Sequence, residues 1–140
     1  MNDIVLNKIQ SVQRCILRAR EEYAADPDGF DTNFTHQDAA VLNVLRACEQ
    51  TIDLANHVIK LQKLGIPTSS GESFELLRVA GVIDQNLSEK LQKMVGFRNA
   101  VVHHYQRIDT QIVRTVITSG LEDLISFGDF VLAYINQTDG

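Results

Sequence analysis

The residues best suited to chemistry stand together in Gly96-Phe-Arg-Asn-Ala-Val-Val-His-His-Tyr-Gln-Arg-Ile-Asp109, where Arg98, Asn99, His103, His104 and Tyr105 cluster. An arginine grips a phosphate with a planar fork and stabilises charge that develops on it. A histidine titrates near neutrality and can pass protons. The pair suits cleavage of a phosphodiester. In RNA the 2′-hydroxyl is a nucleophile within the substrate, so no metal is required. The spacing sets a condition. Arg98 and Val102 lie one turn apart and Tyr105 follows a turn later, so the three share a face of a continuous helix. His103, five residues after Arg98, points about 140° away. The two converge only if the helix loosens after about Val102 or a second chain completes the site. The same spacing also arises in helices with no catalytic role. In that plain reading His104 is a solvated neighbour and Tyr105 a boundary aromatic with its ring packed and its hydroxyl wet.

A second polar group, Asp53, Asn56 and His57, interrupts an otherwise apolar helical stripe. Asp53 and His57 are four apart and share a face, as do Asp53 and Asn56 at three. They form either an ordinary surface pair or a support in which Asp53 orients Arg98 or a histidine across a groove. The four histidines form no His-x3-His pair, and no Cys/His cluster has zinc spacing. There is no Walker loop, GxGxxG or GxSxG. Neither a metal nor a cofactor is expected.

Positioning these residues falls to helices. Ile4, Val5, Ile9, Val12, Ile16 and Leu17 make a helical stripe over Asn2 to about Ala25, broken by Asp26-Pro-Asp-Gly29. A longer helix, capped by Thr35 or a neighbour, runs to about Leu64, with Val41, Leu42, Leu45, Cys48, Ile52, Ala55, Ile59 and Leu64 on its apolar face. Gly65-Ile-Pro67 ends it. A short helix is predicted over about 73–80, another over 86–101, capped by Asn86 or Ser88, and a last over about 110–135. The last carries Ile112, Val113, Val116, Ile117, Leu121, Leu124, Ile125, Phe127, Leu132 and Tyr134 on its stripe. No segment alternates with a strand's period of two. The expected fold is all-α: one domain over residues 1–140, an antiparallel bundle of four main helices plus a short one. Burial is expected to offset the weak helix propensity of Val101, Val102, Val113, Val116 and Ile117.

With 140 residues, 44% of them hydrophobic, the chain can build one sizeable core. No apolar run reaches the roughly 18–20 residues of a membrane span, and the start lacks the basic and apolar stretches of a secretory signal. A cytoplasmic protein away from membranes is expected, with Cys15 and Cys48 as small buried residues. The net charge of −5 is unevenly spread. Residues 1–77 hold seven Lys/Arg against eleven Asp/Glu, and residues 115–140 hold four acids and no base. Between them, residues 78–114 hold six Lys/Arg against three Asp/Glu. That segment can hold an anion while the acidic remainder discourages indiscriminate nucleic-acid binding, or it is a chance cluster on a solvated face.

Arg98-Asn-Ala-Val-Val-His103-His-Tyr105 resembles the Arg-x4-6-His motif of HEPN-domain ribonucleases, and Tyr105 fits the Arg-x4-His-x-Tyr form of their HepT toxins. Ile108-Asp109 also fits, as do the block Ala47 to His57, with Asp53 at the position of the family's acidic residue, and the short-helix region Gly65 to Asp84. The likeness spans about residues 5–130. It implies a homodimer whose groove joins two motifs, acting as a metal-independent endoribonuclease toxin on RNA such as tRNA or mRNA and leaving 2′,3′-cyclic phosphate. Arg98 and His103 would be catalytic, with Asp53, Asn99 and His104 in support. It also implies neutralisation by an MntA-type nucleotidyltransferase antitoxin that transfers AMP to Tyr105. The alternative is a helical module that binds a nucleotide or a partner without cleaving anything.

Overall fold

The computed structural model describes residues 2–139, with the side chains of Asn2 and Asp139 outside the description. The helices are α1 (Asn2–Ala25), α2 (Phe34–Gln62), α3 (Ser70–Val79), α4 (Gln85–His104), α5 (Thr110–Thr115) and α6 (Leu121–Asp139). A 3-10 turn, Tyr105–Arg107, follows α4. A π-helical segment, Val116–Gly120, joins α5 to α6, so 110–139 runs as one helix with a widened turn. The architecture is the expected all-α bundle of four main helices and a short one, with no strand among the described residues. None of these helices is long and apolar enough to cross a membrane.

Short polar side chains start most of the helices by accepting from otherwise unpaired backbone N–H groups. Asn33 caps α2 through the His36 N–H, Ser69 caps α3 through Glu72, and Asp84 caps α4 through Leu87. Asp109 caps α5 through Gln111. The caps of α2, α3 and α4 lie upstream of the positions suggested by the apolar pattern, whereas α5 begins where expected. Asn33 replaces Thr35, Asp84 replaces Asn86 or Ser88, and α3 begins three residues sooner than expected. The cap is set by one side-chain hydrogen bond, and several polar residues precede each stripe. The end of α2 also differs. Lys63 takes the left-handed conformation (φ 54°), and the N–H of Leu64 returns to the carbonyl of Ile59. Gly65 follows at φ 136° in the loop.

The core is drawn from every main helix. Val5, Val12 and Ile16 of α1 meet Val44, Ala55 and Val58 of α2 in one buried cluster with Leu91 of α4 and Leu121, Phe127 and Val131 of α6. Phe74 of α3 packs edge-on against Phe127 at 5.5 Å between ring centroids, pinning the short helix to the bundle. Several expected core residues are instead exposed: Ile4, Leu17, Leu42, Val102 and Ile112. Helical periodicity reports an apolar stripe, and in one chain these positions lie at its margin. Cys48 is buried as expected, whereas Cys15 is only partly so. Burial pushes the Cys48 thiol up to about 12, so it is not a reactive thiolate.

Candidate functional site

Arg98 is drawn into the bundle where α4 faces α2 and the start of α3. Its side chain is 18% exposed. One guanidinium nitrogen, Nη1, donates to Glu49 of α2 at 3.0 Å, and Nη2 donates to the hydroxyl of Ser70, the first residue of α3, at 3.0 Å. Nε is buried with no partner. An unsatisfied buried donor costs about 1–3 kcal/mol, and such a cost is tolerated where function needs it. The early start of α3 therefore matters, because it brings Ser70 to the guanidinium.

The acid facing Arg98 corrects the expectation. Asp53 is exposed and makes no hydrogen bond to Arg98, whereas Glu49, one turn earlier on the same face of α2, does. The remaining second-group residues do structural work. Asn56 accepts a 2.6 Å hydrogen bond from Ser73 of α3. His57 is partly buried, and that burial, with Lys8 and Lys60 nearby, holds its pKa below 6.5.

His103 and His104 end α4, and both are exposed. α4 stays helical through His104 rather than loosening after Val102, and the backbone departs only there, at φ −141°. The two imidazoles lie 6.4 Å apart between centroids and border a shallow cavity of about 440 Å³ with Gln106 and Arg107. His103 makes no hydrogen bond to Arg98 within the chain, and Asn99 is exposed on the same helix. Within the chain no hydrogen bond among the described residues links Arg98 to His103 or His104.

Tyr105 opens the 3-10 turn and folds back toward α2, where its hydroxyl donates to the carboxylate of Asp38. Burial first, then the hydrogen bond and charge of Asp38, push the phenol up to about 12. The tyrosine stands over an apolar groove of about 490 Å³ between α2 and α4, lined by Leu42, Leu45, Val101 and Val102.

The positive segment is less open to an anion than its count of charges suggests. Arg78 is paired with Glu75, Lys90 faces Asp123 at 3.8 Å, and Arg114 binds Asp31 at 3.1 Å. Arg98 is held by Glu49. Among the described residues, Lys93 and Arg107 have no carboxylate within ion-pair distance, and Arg107 is the one beside the histidines. Sequence reasoning missed Glu49, Ser70 and Asp38, and counted Arg107 only as one base of the positive segment. The first three meet their partners across 49, 28 and 67 residues, beyond any periodic signal.

Residues 12–130 match the family described as Ribonuclease HepT-like. The chain is 47% identical over 133 residues to the mRNA nuclease HepT of Shewanella oneidensis, covering 95% of this chain and 99% of that protein. Its fold is similar to that of a tri-AMPylated Shewanella oneidensis HEPN toxin solved in complex with an MNT antitoxin. The TM-score is 0.89 at 47% identity, over 95% of this chain and 99% of the other. A second solved toxin–antitoxin, with AMP-PNP, matches with a TM-score of 0.89 at 46% identity over 94% of this chain and 99% of that one.

Proposed function

The chain belongs to the HepT-like ribonuclease family, and from that premise we propose that it cleaves RNA without a metal through Arg98 and His103, in a groove between two copies of itself. It is an endoribonuclease of the toxin–antitoxin type. Arg98 holds the scissile phosphate and neutralises charge that builds on it in the transition state. His103 takes the proton from the 2′-hydroxyl as that oxygen attacks phosphorus. The bond to the 5′-oxygen breaks, that oxygen takes a proton from solvent as it leaves while His103 later returns its own to solvent, and the products carry a 2′,3′-cyclic phosphate and a 5′-hydroxyl. Asn99 and His104 flank the phosphate and hydrogen-bond within the groove. Glu49 and Ser70 hold the guanidinium in place while its Nε awaits an acceptor.

The observation that carries this reading is the geometry of Arg98 against His103. α4 does not loosen between them, so one chain leaves the arginine inside the bundle and the histidine outside. A second copy supplies the missing half. Leu42 and Val102, exposed along the α2–α4 groove, offer the apolar face on which that copy would sit. A cytoplasmic setting fits an RNA substrate.

The family relatives' MNT antitoxin, and the AMPylated state of one relative, support the reading that this chain pairs with an MntA-type nucleotidyltransferase. The acceptor of AMP would be Tyr105. A nucleotide there would place phosphate charge and bulk beside His103 and Arg107 and shut out RNA.

The test is cleavage of a tRNA and mRNA pool in EDTA by the unmodified protein, with Arg98→Ala and His103→Ala alongside. The wild type is expected to leave cyclic-phosphate ends, and each variant to lose roughly 10²–10⁴-fold in rate while keeping its helical content. Unchanged cleavage by both variants would overturn the assignment. Loss of cleavage with RNA binding retained in His103→Ala separates catalysis from mere binding.

A further inference from the structure

We propose that Asp38 is the proton acceptor that turns Tyr105 into a nucleophile for nucleotidyl transfer. The inference rests on the reading of Tyr105 as the acceptor of AMP. Asp38 lies in the second turn of α2, and its carboxylate already accepts the phenolic proton's hydrogen bond. Asp38 is exposed and Tyr105 is 39% exposed, so an incoming nucleotide can reach the phenolic oxygen.

In the two cavities that Asp38 shares with the phenol it is the one ionisable neighbour of Tyr105. Tyr105 separates the groove of about 490 Å³ from a second cavity of about 240 Å³ that reaches Gln37, Gln106 and Thr110. Asp38, Val41 and Tyr105 border both. Every other residue that lines either cavity is neutral. Tyr105 also borders a third cavity with His103, His104 and Arg107, but its hydroxyl donates to Asp38 and to neither imidazole. The phenol is held up at about 12, so almost none of it is phenolate near neutral pH. Attack therefore requires the proton to leave as the new bond forms, and a carboxylate already bonded to that proton is placed to take it.

The step balances as follows. The Tyr105 oxygen attacks the α-phosphorus of a nucleoside triphosphate, ATP, held by the antitoxin. An oxygen–phosphorus bond forms, and the bond from the α-phosphorus to the β-bridging oxygen breaks. Pyrophosphate departs with that electron pair, and the phenolic proton passes to the Asp38 carboxylate and then to solvent. Esterification removes the donor of the Tyr105–Asp38 hydrogen bond, so that contact belongs to the unmodified chain alone.

The experiment follows AMP on this chain by intact mass, using the Shewanella oneidensis MNT antitoxin, ATP and Mg²⁺, after co-elution shows that the complex has formed. Asp38→Asn keeps an oxygen that can accept the phenol's hydrogen bond but loses the basicity. It is expected to lower the transfer kcat about 100-fold with the KM for ATP unchanged, and Asp38→Glu to restore part of the rate. RNA cleavage by unmodified Asp38→Asn reports that the fold is intact. Transfer by Asp38→Asn at the wild-type rate would overturn the proton role. So would a rise in KM with kcat preserved, which would make the contact a docking aid. A formed complex in which the wild type gains no AMP, or in which Tyr105→Phe still gains it, would overturn the Tyr105 reading and the Asp38 proposal with it.

Discussion

At the scale of single residues, the chemistry-bearing positions differ in how far sequence could reach. Arg98, His103 and Tyr105 stood out as candidates because their types and spacing are local. Their supports were not. Asp53 looked suited to orient Arg98, since it breaks an apolar stripe, yet Glu49 does so from one turn away. Periodicity identifies a face of α2 but not the height at which α4 crosses it, and a shift of one turn changes the partner. His57 shows the complementary case, a polar residue whose burial has a thermodynamic consequence. Burial and the nearby Lys8 and Lys60 hold its folded pKa below 6.5. As pH falls through 6.5 the unfolded chain takes up a proton that the folded chain refuses, so stability drops. The loss levels off once pH falls below the depressed folded pKa. The melting temperature of the wild type should therefore fall between about pH 7 and pH 5. His57→Gln should flatten that fall without changing stability at pH 8. An equally steep fall in the variant, measured by thermal denaturation across the range, would assign it to other groups.

At the scale of elements, the helices were legible and their ends were not. Apolar stripes gave all four long helices and the short one, because burying a face every three or four residues demands that pattern. The caps moved upstream because Asn33, Ser69 and Asp84 win through single hydrogen bonds that compete with neighbouring polar residues. The π-helical widening at Val116–Gly120 left no sequence signal beyond Gly120 at its end. α4 matters most, since it carries the arginine and ends on the histidines. Gly96 sits within it two residues before Arg98, and a Cβ there would meet nothing within 4 Å. Gly96→Ala should raise stability by about 1 kcal/mol, because alanine relieves the entropic cost of glycine in a helix. Asp84→Ala should lower it by about 1 kcal/mol through the lost cap. Chemical denaturation of both variants checks the pair. A destabilised Gly96→Ala would mean that another surface packs closely on α4 at that point, as a second copy of the chain could.

At the scale of the whole molecule, the exposed apolar residues and the divided motif describe the same deficit. A single chain buries Val5, Phe74 and Phe127 completely yet leaves Leu42, Val102 and Ile112 in solvent. The sequence reading expected all three to be buried, Leu42 and Ile112 on helical stripes and Val102 among the β-branched residues, and a single chain has nothing to cover them. The same chain holds Arg98 inside and His103 outside, five residues later on an unbroken helix. If two copies face each other across the α2–α4 groove, the arginine of one can work with the histidine of the other. That arrangement makes a prediction that a single-chain site cannot meet. Arg98→Ala and His103→Ala proteins should each be inactive alone. Unfolded together and refolded as a mixture, they should form a mixed dimer in which one of the two sites has both wild-type residues. Random pairing through a symmetric interface then restores roughly a quarter of wild-type cleavage. Replacing Val102 with glutamate in both chains should abolish that recovery by placing charge on the apolar face, with each chain still helical and monomeric by sedimentation. Recovery absent from the mixture, with mixed dimers demonstrated by mass, would place Arg98 and His103 of one chain in one site and require α4 to unwind when RNA binds.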